Sequence, residues 1–207
     1  MSTTFEVFTP TKNVPSFNDV LVLGNKYLSD KLKMHGVNGN YLIDVSVRNI
    51  KTHSLIPYDK TSPAMWSIDC EYAWFTINNL PGGCDAYINK SNDLLCIEAW
   101  KDEFTLNERA TIIQAQMMKC LETGFYWTFR RSAGQPAIIS LAYGLIAVAF
   151  AELVNGYIFS DDGAWDYAIF PTTASHFLQN YFNPQYPKTE DANWAKECID
   201  ILKHKHK

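Results

Sequence analysis

The densest group of chemically capable side chains in this chain is Ser160, Asp161, Asp162 and Asp166, followed by His176. Clustered carboxylates can hold Mg²⁺ or move protons, and a nearby imidazole can complete such a site. One reading is therefore a small metal-dependent hydrolase built on Asp161, Asp162, Asp166 and His176. The spacing is not that of a calcium loop, which needs oxygen ligands at alternate positions and a distant Glu. The simpler reading is a tight turn, because Asp and Gly163 suit one and Trp165 can anchor it to a core. The turn is the default, with no catalytic residue, metal ligand or cofactor assigned.

Other nucleophilic and phosphate-binding patterns are missing from the sequence. Cys70, Cys84, Cys96, Cys120 and Cys198 are odd in number and widely spaced, with no C-x-x-C pair, so reduced and mostly buried thiols are expected. A Cys-His pair with His35, His53 or His176 is formally available, but none lies in a local signature. There is no G-x-S-x-G elbow, no phosphate-cradling glycine loop and no H-E-x-x-H motif. Pro81-Gly82-Gly83 lacks a following Lys-Ser or Lys-Thr and reads as a turn.

A different signal comes from aromatics lying beside acids. Tyr72, Trp74, Phe75, Trp100, Phe125, Tyr126, Trp127 and Phe129 sit near Asp69, Glu71, Glu98, Asp102 and Glu103. Aromatic anchors in an acidic surround suit a face that binds a basic protein. About two thirds of these rings are expected to fill the core instead. The residues read as partner-binding are Asp69, Glu71, Trp74, Glu98, Asp102, Glu103, Asp161 and Asp162.

These groups need a scaffold, and the largest apolar block is its obvious centre. Ala137 to Ala151 carries no charge, and Glu152 follows as the first carboxylate. A helix apolar all round lies in a membrane or in the middle of a core. Spanning needs roughly 20 apolar residues, and this single, shorter, small-residue-rich block reads as a core helix over about 137–154. Asn155-Gly156 supplies a stop. Glu152 must reach solvent or pair, and Arg130 or Arg131 is the expected partner.

Elsewhere, Phe5–Phe8 alternates like a strand, Ser16 caps a helix running to about Met34, and Tyr41–Val47 reads as a strand. Trp66–Ile77 and Asp93–Trp100 read as further strands, with a short segment at Ala86–Ile88 between turns. Thr105 or Asn107 is expected to cap a long helix from Glu108 to about Arg131, its terminal arginines complementing the helix dipole. Tyr157–Phe159 reads as a strand and Thr173–Phe182 as a helix. Asp191 is read as capping a last helix with Trp194, Cys198, Ile199 and Leu202 on one stripe. The expected architecture is a single α+β domain over 1–207, a mostly antiparallel sheet from the N-terminal half packed against C-terminal helices.

Composition bounds the functional classes. The 207 residues are 47% hydrophobic and 14% aromatic, ample for a core, and the net charge of −4 lacks the basic footprint of a nucleic-acid binder. Met1 to Glu6 shows no basic stretch followed by an apolar core, so a cytoplasmic protein is expected, with neither nucleic acid nor membrane as partner.

The block from Leu141-Ala142-Tyr143-Gly144-Leu145 to Glu152-Leu153, then Asn155-Gly156-Tyr157-Ile158-Phe159-Ser160-Asp161-Asp162-Gly163-Ala164-Trp165, precedes Ser175-His176-Phe177-Leu178-Gln179-Asn180-Tyr181-Phe182. This layout, covering about a fifth of the chain, resembles the immunity proteins of bacterial polymorphic toxin systems. The resemblance implies a non-enzymatic protein that neutralises one cognate toxin by direct binding. It transfers no specific binding residue.

Overall fold

The computed structural model describes residues 2–78, 80–183, 185 and 190–204. Its frame is one antiparallel sheet in the order β3-β2-β4-β5-β6-β1-β7-β8. The strands are β1 (Thr3–Phe8), β2 (Ile43–Asn49), β3 (Leu55–Ile56), β4 (Glu71–Ile77), β5 (Cys84–Lys90), β6 (Phe125–Arg131), β7 (Tyr157–Phe159) and β8 (Thr172–Thr173). The helices are α1 (Phe17–Met34), α2 (Leu94–Leu106), α3 (Glu108–Ile112), α4 (Gln114–Leu121), α5 (Ala137–Leu153), α6 (Ala174–Asn180) and α7 (Glu190–His204). The α+β expectation holds, and one contiguous apolar cluster joins the strands to the helices.

The apolar block is α5, and every residue from Ala137 to Ala151 is buried. It lies on the sheet with α1, α6 and α7 around it, which explains an apolar surface on all sides. Phe150 packs on Trp127 and Phe129 of β6, and Tyr143 stacks on Phe5 of β1. Gly144 leaves room for Tyr181, whose hydroxyl donates to the Ser140 carbonyl at 2.6 Å; a Cβ at position 144 would collide with the Tyr181 ring. Asn155, with φ 50, and Gly156, whose N–H donates to the Ala151 carbonyl at 2.7 Å, end the helix. Among the described residues, no helix is long and apolar enough to cross a membrane.

Three expectations are corrected. Asp93–Trp100 is not a strand: Asp93 caps α2 by accepting from the Cys96 N–H at 2.8 Å. Its apolar run misleads because Leu94 and Leu95 point into solvent, 77% and 80% exposed. The long helix from Glu108 does not exist either. Asn107 does cap a helix, but α3 and α4 are short, a turn at Gly124 follows, and Phe125–Arg131 is a strand. In β6, Phe125, Trp127 and Phe129 alternate onto α5 while the residues between them face the other way. Arg130 and Arg131 therefore end a strand and not the helix whose dipole they were expected to complement.

Glu152 pairs with neither arginine, since it accepts from the Tyr27 hydroxyl of α1. Smaller shifts concern ends. Trp66 to Cys70 precedes β4 as a loop, β5 is longer than Ala86–Ile88, and α7 starts at Glu190, so Asp191 falls inside its first turn.

Candidate functional site

The two faces of the sheet differ. Phe5, Val7, Val45, Val47, Phe75, Trp127 and Phe129 point into the apolar core. On the opposite face α2, α3 and α4 cover only one end, where Trp100 and Phe104 pack on Phe8, Tyr126 and Phe159. The rest of that face, over β2, β4, β5 and β6, carries polar and aromatic side chains.

Register arranges them in rows. Ser46, Trp74, Asp85, Arg130 and Thr4 are successive cross-strand partners over β2, β4, β5, β6 and β1. The row ends on the acidic turn, because Thr4 donates to Asp162 Oδ2 at 3.0 Å. At about 4.8 Å per strand, Trp74 and Thr4 stand roughly 14 Å apart. In the next row, Arg48 faces Tyr72, Tyr72 stacks on Tyr87 at 5.8 Å, Tyr87 faces Thr128, and Thr128 faces Glu6.

The rows are held by hydrogen bonds and ring contacts. Asp85 is buried, and its Oδ2 accepts from Arg130 Nε at 3.1 Å, from Arg130 Nη2 and from the Tyr87 hydroxyl at 2.8 Å. The Arg130 guanidinium also lies over the Tyr87 ring at 5.6 Å. Burial and the Asp85 carboxylate push the Tyr87 phenol up to about 12, so it stays a donor at neutral pH. Arg48 lies over Trp74 at 6.0 Å, and the indole rests on Gly83, where a Cβ would strike both the ring and the Phe75 carbonyl. The Pro-Gly-Gly turn is thus also the seat of Trp74. His53 Nδ1 and the Tyr72 hydroxyl are 3.1 Å apart. A preorganised surface of this kind presents aromatic area at low entropic cost.

The residues predicted to bind a partner divide between this face and its surroundings. Trp74 is on the face and half-buried. Of the other seven rings named with it, Tyr72, Phe75, Phe125, Trp127 and Phe129 are buried, and Trp100 and Tyr126 are half-buried. Asp161 and Asp162 are exposed in the turn at one end of the face, and Glu103 of α2 stands close enough to raise the Asp161 carboxyl, after burial and Asp162. Glu98 and Asp102 are exposed on α2. Asp69 is exposed with φ 64 in the loop before β4, and Glu71 accepts from the Ser67 N–H at 2.8 Å, so both serve that loop.

The hydrolase constellation is not assembled. Asp166 accepts from the Ala168 N–H at 3.0 Å in a local turn. His176 Nδ1 lies 2.7 Å from Thr172 Oγ1, and its charged neighbour is Arg109, which with burial lowers its pKa. Among the described residues, no group of three His, Cys, Asp or Glu side chains is arranged to hold a metal ion. Cys84, Cys120 and Cys198 are buried, Cys96 half-buried and Cys70 exposed, and all are free thiols. Burial raises Cys84, Cys120 and Cys198, which removes them as ready thiolates.

Sequence reasoning missed Asp85, Tyr87, Arg130 and Glu6. The alternation Cys84-Asp85-Ala86-Tyr87-Ile88 was available as a signal, but it becomes a site only once β6 lies beside β5. Compared with protein-family models, with curated proteins and with solved structures, the chain matches none.

Proposed function

We propose that this is a non-enzymatic binding protein that neutralises a cognate toxin by direct contact, with the open sheet face and its acidic end meeting a basic partner. The observation that carries this reading is the row Trp74–Asp85–Arg130–Thr4, which ends on Asp162. Its aromatic and charged side chains are fixed by mutual bonds and left uncovered by helices. Fixed aromatics ringed by polar groups are what binding hot spots require. Acidic residues at one end supply steering toward a basic surface. The resemblance in layout to immunity proteins points the same way. The hydrolase alternative draws no support from the geometry, since His176 and Asp166 are engaged apart from the acidic turn.

The experiment is co-expression with the product of the adjacent gene, tested first for toxicity when expressed alone, together with pull-down of the pair. Growth rescue and a stoichiometric complex are expected, both weakened by Trp74→Ala and Tyr87→Ala. Rescue unaffected by those two variants would remove the face from the proposal. Failure to rescue at all would remove the function.

A further inference from the structure

The apolar stripe of α1 contains one cation. Tyr27, Leu28, Lys31 and Leu32 follow one another at helical spacing, and all four are buried. Lys31 is only 6% exposed. Among the described residues, its nitrogen has no carboxylate within ion-pairing distance and no hydrogen-bond partner. The nitrogen is not sealed in, since the enclosed and partnerless side-chain atoms among the described residues belong to Glu6, Trp66, Arg131 and Trp165. Its opening is the groove between α1 and α6, which Lys31 lines. A lysine that merely snorkels puts its head in water and keeps its ordinary pKa. Here burial pulls the Lys31 ammonium down to about 8, so the charge is held at a cost that nothing in the chain offsets.

The groove has a volume of about 430 Å³, within the range of small-molecule sites. Met34 of α1 and Leu178 of α6 give it apolar walls, and the Gln179 side-chain amide has no partner among the described residues. The other polar groups are engaged. Lys26 pairs with Asp30 at 3.1 Å, and the Tyr27 hydroxyl donates to Glu152 at the end of α5. Asn183 donates to the Gln179 carbonyl at 2.8 Å and accepts from the Gln185 N–H at 3.0 Å. His35 feels both Lys31 and Lys203 of α7, and burial lowers its pKa, so its ring adds no charge at neutral pH. One positive charge is left over. It matches a single negative charge, whereas a dianion would also meet the Asp30 and Glu152 carboxylates. The apolar walls favour an anion with a hydrocarbon tail.

We propose that the groove between α1 and α6 binds a small free carboxylic acid as its anion. The carboxylate meets the Lys31 ammonium and the Gln179 amide, and the hydrocarbon tail lies along Met34 and Leu178. The groove belongs to the helical layer, across the sheet from Trp74, so this ligand and a protein partner occupy different faces. Binding has a consequence in protons. A carboxylate beside Lys31 favours the ammonium and raises its pKa toward the ordinary value of 10.5. Near pH 8, where about half of the free amine is neutral, binding therefore takes a proton up from solvent.

The test is calorimetric titration of the full chain with sodium hexanoate at pH 7. Sodium acetate supplies the charge without the tail, hexanol the tail without the charge, and inorganic phosphate a more highly charged anion. Saturable one-to-one binding of hexanoate is expected, about tenfold or more tighter than that of the other three. Lys31→Met keeps the length of the side chain and removes the unpaired charge. It is expected to fold, to melt no lower than the wild type, and to weaken hexanoate about tenfold or more. At pH 8, in two buffers of different ionisation enthalpy, the wild type should take up about half a proton per hexanoate bound, and Lys31→Met none. No saturable hexanoate binding, equal affinity in Lys31→Met, or no proton uptake at pH 8 would each overturn the site. Phosphate or hexanol binding as tightly as hexanoate would overturn it too. Should Lys31→Met not fold, the wild-type proton uptake and the order of the four probes decide.

Discussion

The Tyr27 hydroxyl of α1 donates to the Glu152 carboxylate at the end of α5, joining residues 125 apart in sequence. It ties the outer helix to the core helix at the point where α5 first becomes polar. Tyr27→Phe should lower stability by about 1 kcal/mol in urea unfolding. A double-mutant cycle with Glu152→Gln should show coupling, whereas a cycle pairing Glu152→Gln with Arg130→Gln should be additive within about 0.5 kcal/mol. Coupling to Arg130 instead would restore the partner expected from sequence.

Stability should depend on pH through Glu6. Its carboxyl is held near 8 in the fold against an ordinary value of 4.5. A raised carboxyl contributes stability that is complete below the ordinary value and lost as pH rises through the folded one. Between pH 4.5 and 8 the native state holds a proton that the unfolded chain has released, so stability falls with rising pH by up to about 1.4 kcal/mol per unit. Melting temperature measured from pH 5 to 8.5 should decline more steeply for the wild type than for Glu6→Gln. Parallel curves would show that Glu6 does not titrate in this window.

Asp85 and Arg130 should be unequal partners. Asp85 is 8% exposed in its side chain and Arg130 44%, so removing the arginine strands a buried carboxylate. Arg130→Met should destabilise by about 1–3 kcal/mol. The combination with Asp85→Leu should recover part of that loss, because the stranded charge is gone. Additive losses in denaturant titrations would contradict this.

Close approach at Gly144 should make it intolerant. Gly144→Ala drives a methyl into the Tyr181 ring and is expected to lose about 1–3 kcal/mol despite the better helix propensity of Ala. Pairing it with Tyr181→Ala should give less than the sum of the two losses. A stabilised Gly144→Ala would mean that α6 and the segment after it yield easily.

The parts of the fold legible in the sequence are those specified by neighbouring residues. Ser16 and Asp19 cap α1 reciprocally, Phe5–Phe8 alternates, and the charge-free run of α5 with its Asn-Gly stop marks a buried helix. Each signal is contained within one element. The Phe125–Arg131 segment was misread because its neighbours on both sides are helical and its own alternation is short. It becomes a strand by pairing with β5 on one side and β1 on the other, and β1 lies more than a hundred residues away. Leu94 to Ile97 failed for the opposite reason, since an apolar run has no period and its exposure was decided by where α2 came to rest.

The candidate site divides in the same way. Sequence alone placed Trp74, Asp161, Asp162 and Glu103 among aromatics and acids, because residue type is a local property. Glu6 in Phe-Glu-Val-Phe reads as the solvent side of a strand, and alternation does put it on the face opposite Phe5. Only tertiary structure brought α2 and the Asp161–Asp162 turn to that end of the sheet, and so turned an ordinary outward carboxylate into a buried one. Burial is a sum over elements distant in the chain, and no spacing within β1 encodes it.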